Sequence, residues 1–323
     1  AGMYAMGAPA QRSSHAMVYI NDELWGMYLI MEDPGTNQFL ESRFGSKKGY
    51  LWKSGGGSLQ YISDDPDVYR DAGYKAMNDE AEADFGPLAN LISIINLTPD
   101  DEFEEKIQTV FDVEYFFRTY AVEVATGNWD GIYNANNYFL YCKSNGIFSY
   151  YRHDLDLSMG SLDFYYRFST RNVWTWTTDL PKGNGYILPY RLMKVPAFQE
   201  IFKNYLTIAM QYVNGNRYWQ KNNSFMQRVK TMHQQIAPGA MLDYWHSLDM
   251  LMWSKEDFNI NINQPLLRPQ ILPPNPFLNG PSFSPFLAFE DFLNKRQANS
   301  EKQLADGPPN PYPPPPPPPK KKD

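Results

Sequence analysis

Residues 128–160 constrain this chain more than any other stretch, because they set a polar loop, two β-prone runs and a second polar loop in immediate succession. Tyr138-Phe139-Leu140-Tyr141 and Ile147-Phe148-Ser149-Tyr150-Tyr151 read as strands, and Ser144-Asn145-Gly146 between them reads as a turn. A hairpin there brings its two ends together. Asp130, with the amides of Asn134, Asn136 and Asn137, is then expected to face Asp154 and Asp156 in one cleft. Carboxylates meeting a side-chain amide, with no Cys or His cluster, suit a hard cation that prefers oxygen, such as Mg²⁺. That is the chemistry of phosphate handling.

Composition narrows the classes available. The 323 residues are 43% hydrophobic, 16% aromatic and 20% charged, enough for a large core and too aromatic for a disordered chain. A formal charge of −7 gives no reason to expect nucleic acid as a partner, and Lys320-Lys321-Lys322 is too short to change that. One cysteine, Cys142, rules out an intrachain disulfide and a zinc site of several thiolates; inside an apparent strand it reads as a packed core residue. No apolar run reaches the roughly 18 residues that span a bilayer. The chain opens at Ala1 in what reads as a helix end broken by Gly7 and Pro9, so a fragment that starts in mid-element is expected.

Periodicity predicts an α+β fold. Ala16-Met17-Val18-Tyr19-Ile20 and Trp25-Gly26-Met27-Tyr28-Leu29-Ile30-Met31 flank Asn21-Asp22-Glu23 as a hairpin, and Tyr50-Leu51-Trp52-Lys53 is a short strand running into Ser54-Gly55-Gly56-Gly57-Ser58. That glycine run lacks the spacing of a phosphate loop and reads as a flexible surface turn. Helical spacing covers 38–44, 85–97, 100–110, 112–125, 191–194, 198–213 and 219–235; Pro238-Gly239 is expected to break the pattern before a helix over 240–251. The acidic stretch 64–84 reads as a solvated loop and helix surface. Residues 161–190 look loose, with Arg167, Arg171 and Trp174-Thr175-Trp176 as a lid, a substrate-facing loop or irregular aromatic packing. From Pro265 onward Pro and Asn dominate, with a short helix over 286–297 and a polyproline II tail that ends in seven prolines from Pro313 to Pro319. The tail serves as a spacer or as a ligand for a Pro-recognising domain.

An Asp-x-Asp after a strand is often only a turn, so order and spacing carry the functional reading. Protein-kinase-like folds use a catalytic Asp, an Asn soon after it, a hairpin and then a metal-binding Asp. Asp130, Asn137, the hairpin and Asp154 stand in that order. Asp130 would then orient or deprotonate an acceptor hydroxyl, Asn137 would hold a metal ion, and Asp154, with Asp156 beside it, would bridge the cation to phosphates. There is no His-Arg-Asp, and Asp154-Leu155-Asp156 stands in place of Asp-Phe-Gly. By pattern alone, a phosphotransfer site and a purely structural turn are served equally.

The sequence also resembles the spore coat protein H (CotH) kinases, an atypical protein-kinase-like family. The resemblance lies in Val18-Tyr19-Ile20-Asn21 with Trp25-Gly26-Met27-Tyr28-Leu29 and Glu32, then Gly49-Tyr50-Leu51-Trp52-Lys53, then Asn128-Trp129-Asp130-Gly131 with Asn137-Tyr138-Phe139-Leu140-Tyr141, and His153-Asp154-Leu155-Asp156. It implies a two-lobed fold over 1–263, with an incomplete N-lobe over about 1–60 and a largely helical C-lobe over about 85–263. An extension over 264–307 and the tail over 308–323 would follow. It further implies ATP, Mg²⁺ or Mn²⁺, protein Ser/Thr acceptors, and a secreted or cell-surface setting. Asp130 matches the family's catalytic Asp and Asp154 its metal-binding Asp. Glu32 would sit at the hinge near adenine, and Lys53 is the best remaining lysine for a phosphate if the family's Lys-bearing strand lies upstream. The competing expectation is a surface adhesion module that keeps the scaffold without turnover.

Overall fold

The apolar runs on either side of Asn21-Asp22 pair as predicted. Strand β1 (Ser13–Ile20) lies antiparallel to β2 (Glu23–Met31). Asn21 and Asp22 both take left-handed φ angles, 51° and 66°, as a two-residue hairpin turn requires. The computed structural model describes residues 3, 6–161, 163, 167–178, 185–214, 225–243, 255–269, 283–310 and 312. The proline run, residues 219–224 and residues 244–251 of the predicted helices, and residues 1, 2, 4 and 5 of the opening segment lie outside them.

After the hairpin come α1 (Asn37–Phe44), β3 (Gly49–Gly55), β4 (Tyr74–Ala76), α2 (Asp79–Ala83), α3 (Gly86–Leu97), α4 (Asp100–Gln108) and α5 (Val113–Thr126). The predicted central hairpin forms as β5 (Asn136–Lys143) and β6 (Phe148–Arg152). Then follow α6 (Ile187–Met193), α7 (Pro196–Asn214), α8 (Phe225–Leu242), α9 (Lys255–Ile260), β7 (Leu266–Pro269), β8 (Phe283–Phe286) and α10 (Phe289–Asp306). The fold is α+β: small antiparallel sheets among many helices. Among the described residues no helix is long and apolar enough to cross a membrane.

A four-stranded antiparallel sheet in the order β4-β3-β5-β6 positions the polar loops. Lys53 stands opposite Phe139, and Phe139 opposite Tyr151, so these three side chains share one face. That face buries Leu51, Phe139, Tyr141 and Tyr151 against Phe39 and Leu40 of α1. The opposite face carries Trp52, Tyr138, Leu140, Phe148 and Tyr150 into the main core around α5. Helix α5 is buried nearly all round: Phe116, Phe117, Ala121 and Val124 are fully covered, each large side chain contributing roughly 1.5–3 kcal/mol. Asp112 caps its start by accepting from the Tyr115 amide at 3.0 Å, and Gly127 ends it at φ 65°.

Three sequence expectations need correction, and one open alternative, that of residues 161–190, is decided for aromatic packing. The acidic stretch contributes a strand, β4, because Tyr74 packs inward while Lys75 stays outside. Helix α8 runs through Pro238 to Leu242; Gly239 there leaves room for the hairpin, since a Cβ would meet the Met17 and Met27 sulfurs at 2.9 and 3.0 Å. In the segment after Gly160, Trp174 and Trp176 are fully buried and Arg171 lies over the Tyr133 ring, so they are core rather than lid. The glycine run is not a free turn. Ser54 Oγ and the Gly56 amide both donate to the Ala135 carbonyl, at 2.8 and 2.9 Å, and the Gly55 and Gly57 amides are bonded as well.

A Cβ on Gly57 would lie 2.3 Å from the Tyr74 ring, whose hydroxyl accepts from the Leu59 amide at 2.7 Å and cannot swing away. Gly57→Ala is therefore expected to cost about 1–3 kcal/mol. Chemical denaturation of variant and wild type measures it; equal midpoints would show that the ring yields freely.

Candidate functional site

The chain leaves α5 through Gly127 and delivers Asn128, Trp129 and Asp130 beside the far ends of β5 and β6. Asp130 is half-buried in a cage of amides. Its Oδ1 accepts from Asn134 and Asn136, both at 3.2 Å, and its Oδ2 accepts from Asn137 at 2.8 Å. Three side-chain amides hold the carboxylate in place. Asn137 thus spends its amide nitrogen on Asp130 and keeps its carbonyl oxygen as its possible metal donor.

One side chain ties the loops together. Arg152, 3% exposed, closes β6 with its guanidinium between the two polar loops. Its Nη1 donates to the Asn136 carbonyl at 2.9 Å and also to the Asn137 carbonyl. Its Nη2 donates to Asn128 Oδ1 at 2.9 Å, the Asp154 carbonyl at 3.2 Å and the Asp130 carbonyl at 3.4 Å. A single nitrogen therefore reaches the backbones of both Asp130 and Asp154. Behind it, Nε lies 3.2 Å from Oε1 of the fully buried Glu123, an ionic contact without good hydrogen-bond direction. Burial pushes the Glu123 carboxyl up, while Arg152 and the Tyr150 hydroxyl, which donates at 2.6 Å, pull it back.

Backbone strain marks the same spot. Ala135, Asn137 and Asp154 hold left-handed φ angles of 56°, 51° and 57°. Asn and Asp tolerate this conformation better than most residues, and Arg152 holds the carbonyls on either side. Asp156 stands close to Asp154. Partial desolvation first, then its neighbour Asp154 and the charge of Asp130, hold the Asp156 carboxyl above its ordinary value, although the residue stays exposed.

Two further residues singled out in the sequence lie at the edge of this group. Lys53 extends along the sheet face with its Nζ 6.0 Å from the Phe139 ring centroid. It is close enough that, after burial, its charge is the next largest cause lowering the His153 pKa. His153 in turn lies 3.5 Å through Nδ1 from Gln11 Oε1, and Gln11 donates to the Glu32 carbonyl at 2.6 Å. The Glu32 carboxylate itself is taken by Arg12 at 2.8 Å and Arg43 at 2.7 Å, so it is the Glu32 backbone that faces the His153 side. Asp130, Asn137, Asp154 and Asp156 are thus brought together, Lys53 flanks them, and the Glu32 carboxylate is turned to its own ion pairs.

Hydrogen bonding to Arg12 chiefly, and the charge of Arg43, lower the Glu32 pKa. A lowered folded value means stability that is complete above the free value of 4.5 and fades as pH falls through the folded one. Glu32→Gln should lower the thermal midpoint by about 2 °C at pH 7, with the two proteins converging in acid. A constant difference from pH 7 down to about pH 2.5 would contradict this.

Among the described residues no group of three or more His, Cys, Asp or Glu side chains forms a ready metal cage. Two crowded carboxylates nevertheless fit Mg²⁺, which keeps several waters and binds through one or two carboxylates plus phosphate oxygens. A cavity of about 500 Å³ lies elsewhere, between the β1–β2 hairpin and α8–α9, with His15, Met27, His233 and Phe258 in its wall. His233 there stacks on Phe258 and pairs with its carbonyl, and Lys255 is bonded to the Met241 carbonyl. The wall also holds Asp257 and Asp243, whose Oδ2 accepts from the Met27 amide at 3.0 Å; the residues singled out in the sequence lie at Asp130 and Asp154 instead.

The family described as CotH kinase protein matches residues 3–264. The chain belongs to the CotH family. Among CotH relatives, spore coat protein homolog 1 of Rhizopus delemar is 23% identical over 248 residues, covering 74% of this chain and 38% of that protein. Invasin CotH7 of the same organism is 25% identical over 249 residues, covering 74% and 39%. Inner spore coat protein H of Bacillus subtilis is 23% identical over 256 residues, covering 78% and 66%. The chain thus spans about two fifths of the length of the two Rhizopus proteins.

Arg152 and Glu123 were not among the residues singled out in the sequence. Their signal was a charge inside an apolar run: Val122-Glu123-Val124 in a buried helix, and Arg152 after Tyr150-Tyr151 in a buried strand.

Proposed function

We propose that this CotH chain transfers the γ-phosphate of ATP to Ser or Thr hydroxyls of a protein partner, within a kinase-like two-lobed arrangement. The single observation that carries the reading is Arg152, which draws Asp130, Asn137 and Asp154 to one point around its guanidinium. Asp130, held by three amides, accepts the proton of the acceptor hydroxyl. Asp154 and Asp156, with the Asn137 carbonyl oxygen, hold the divalent cation, and Lys53 contacts a phosphate. When bound, Mg²⁺ or Mn²⁺ neutralises charge on the phosphates; the protein's share is positioning.

A second reading, a binding module without turnover, is favoured by a different observation. Tyr19, Ile20, Tyr28, Leu29 and Ile30 on the β1–β2 hairpin are all at least 45% exposed, and one relative is named an invasin. Transfer of labelled γ-phosphate, assayed with Mg²⁺ and with Mn²⁺, separates the two. The kinase reading expects cation-dependent transfer that falls by at least about 100-fold in Asp130→Asn. A wild-type protein that binds no ATP in the presence of either cation would leave the binding module standing alone.

A further inference from the structure

Helix α10 lies wholly beyond residue 264, where the family match ends, yet it is built into the back of the site. Phe292, Arg296 and Ser300 recur every four residues and form a fully buried stripe with Leu293. Phe292 meets two glycines. A Cβ on Gly127 would come within 2.5 Å of its ring, and a Cβ on Gly160 within 3.2 Å of its own Cβ. Gly127 is the turn that opens into Asn128-Trp129-Asp130, and Gly160 closes the loop that carries Asp154 and Asp156. Both have left-handed φ angles, 65° and 98°, so each turn is set by glycine and sealed by the same phenylalanine.

Arg296 completes the contact. Its Nε donates to the Val124 carbonyl at 2.9 Å, satisfying an acceptor at the end of α5, and its Nη1 donates to the Arg171 carbonyl at 2.6 Å. The guanidinium packs over Trp176 at 4.7 Å. Burying a cation this completely is costly, and the two carbonyls and the indole face offset that cost. Farther along, Gln303 holds residues 173 and 174 and makes no contact of this kind with the two turns.

We propose that Phe292 and Arg296 are positioning residues, through which a helix outside the family-defined region clamps the Asp130 and Asp154 loops from behind. The catalytic part of this proposal rests on the phosphotransfer reading; the clamp itself does not. Arg152 joins the two loops from the front, and Phe292 fixes the turns from which they spring.

Amide hydrogen exchange read by mass spectrometry tests the clamp on the whole chain. Phe292→Ala should speed exchange about tenfold in residues 128–137 and 154–161, with α4, which does not pack on α10, unchanged and wild-type circular dichroism. Phe292→Leu should restore most of the protection. Arg296→Lys cannot fork to both carbonyls and should loosen 128–137 alone, and it decides the matter if Phe292→Ala does not fold. Gln303→Ala should leave both segments as they are. Unchanged exchange in the two segments, or an even rise along the chain, would overturn the clamp. Mn²⁺–ATP titrations then separate the two ideas. Absent binding by the wild type sinks the phosphotransfer reading and leaves the exchange result intact. A loosened Phe292→Ala protein with wild-type affinity and turnover sinks the positioning role.

Discussion

Arg152→Lys is expected to destabilise the fold by roughly 3 kcal/mol and to abolish ordered binding at the site, although it preserves the charge. A guanidinium offers five donors in a planar fork; Arg152 spends the four on its Nη nitrogens on the carbonyls of Asn136, Asn137, Asp130 and Asp154 and on Asn128 Oδ1, and turns Nε toward Glu123. An ammonium on a flexible stem has three donors. It can keep Glu123 company or hold one loop, not both. Carbonyls left without a donor in so dry a setting each lose a hydrogen bond, and Ala135, Asn137 and Asp154 are then free to leave their left-handed conformations. Thermal unfolding gives the stability loss. Cation-dependent nucleotide binding, taken well below the lowered midpoint, shows whether the site has gone slack. Wild-type values for both would mean that the guanidinium is an onlooker.

The parts of this architecture that were legible in the sequence are those written in local chemistry. Asn21-Asp22 and Ser144-Asn145-Gly146 each announce a hairpin, and a hairpin of known register decides which side chains meet at its base. The convergence of Asp130 with Asp154 follows from that. What was not legible is long-range register. Nothing near Lys53 says that β3 pairs with β5 rather than with the earlier hairpin, and it is this pairing that sets Lys53 against Phe139 and beside His153. Glu32 misleads for a related reason. Its position after β2 is a matter of local order, but its carboxylate is claimed by Arg12 and Arg43, which approach from either side in the sequence.

Irregular segments were the hardest to read. Arg171, Trp174 and Trp176 carry no period, so burial there cannot be inferred from pattern; it arises because Tyr133, Phe168 and Arg296 cover Arg171 and Trp176, and Phe202 meets Trp174. The glycine run has the composition of a loose loop, yet its amides are all bonded and Gly57 lies against the Tyr74 ring, while a Cβ on Gly55 or Gly56 would meet open space. The short helix expected over 286–297 forms as α10 and runs on to Asp306, but its buried stripe includes an arginine and a serine, which a hydrophobic template counts as solvent-facing. In each case the missing information is the partner's position, which only the tertiary fold supplies.

Asp154→Asn and Asp130→Asn should fail in different ways. Asparagine is the substitution of choice at position 154 because φ is 57° there, and alanine would add roughly 1–2 kcal/mol of backbone strain to the loss of charge. At 130, Asn preserves size but offers its neighbours an amide in place of an oxygen, so one of the bonds from Asn134, Asn136 or Asn137 must break. Asp154→Asn removes half of the carboxylate pair and should weaken Mn²⁺–ATP binding at least about tenfold, with transfer lost in consequence. Asp130→Asn leaves Asp154 and Asp156 in place. It should bind Mn²⁺–ATP within about threefold of wild type and lose phosphate transfer by about two to three orders of magnitude, the effect of removing a base and not a ligand. Calorimetric titration gives the first quantity and labelled transfer the second. If Asp130→Asn instead loses nucleotide binding and Asp154→Asn keeps it, the two carboxylates exchange roles; if both variants transfer phosphate like the wild type, the reacting groups lie elsewhere in the chain.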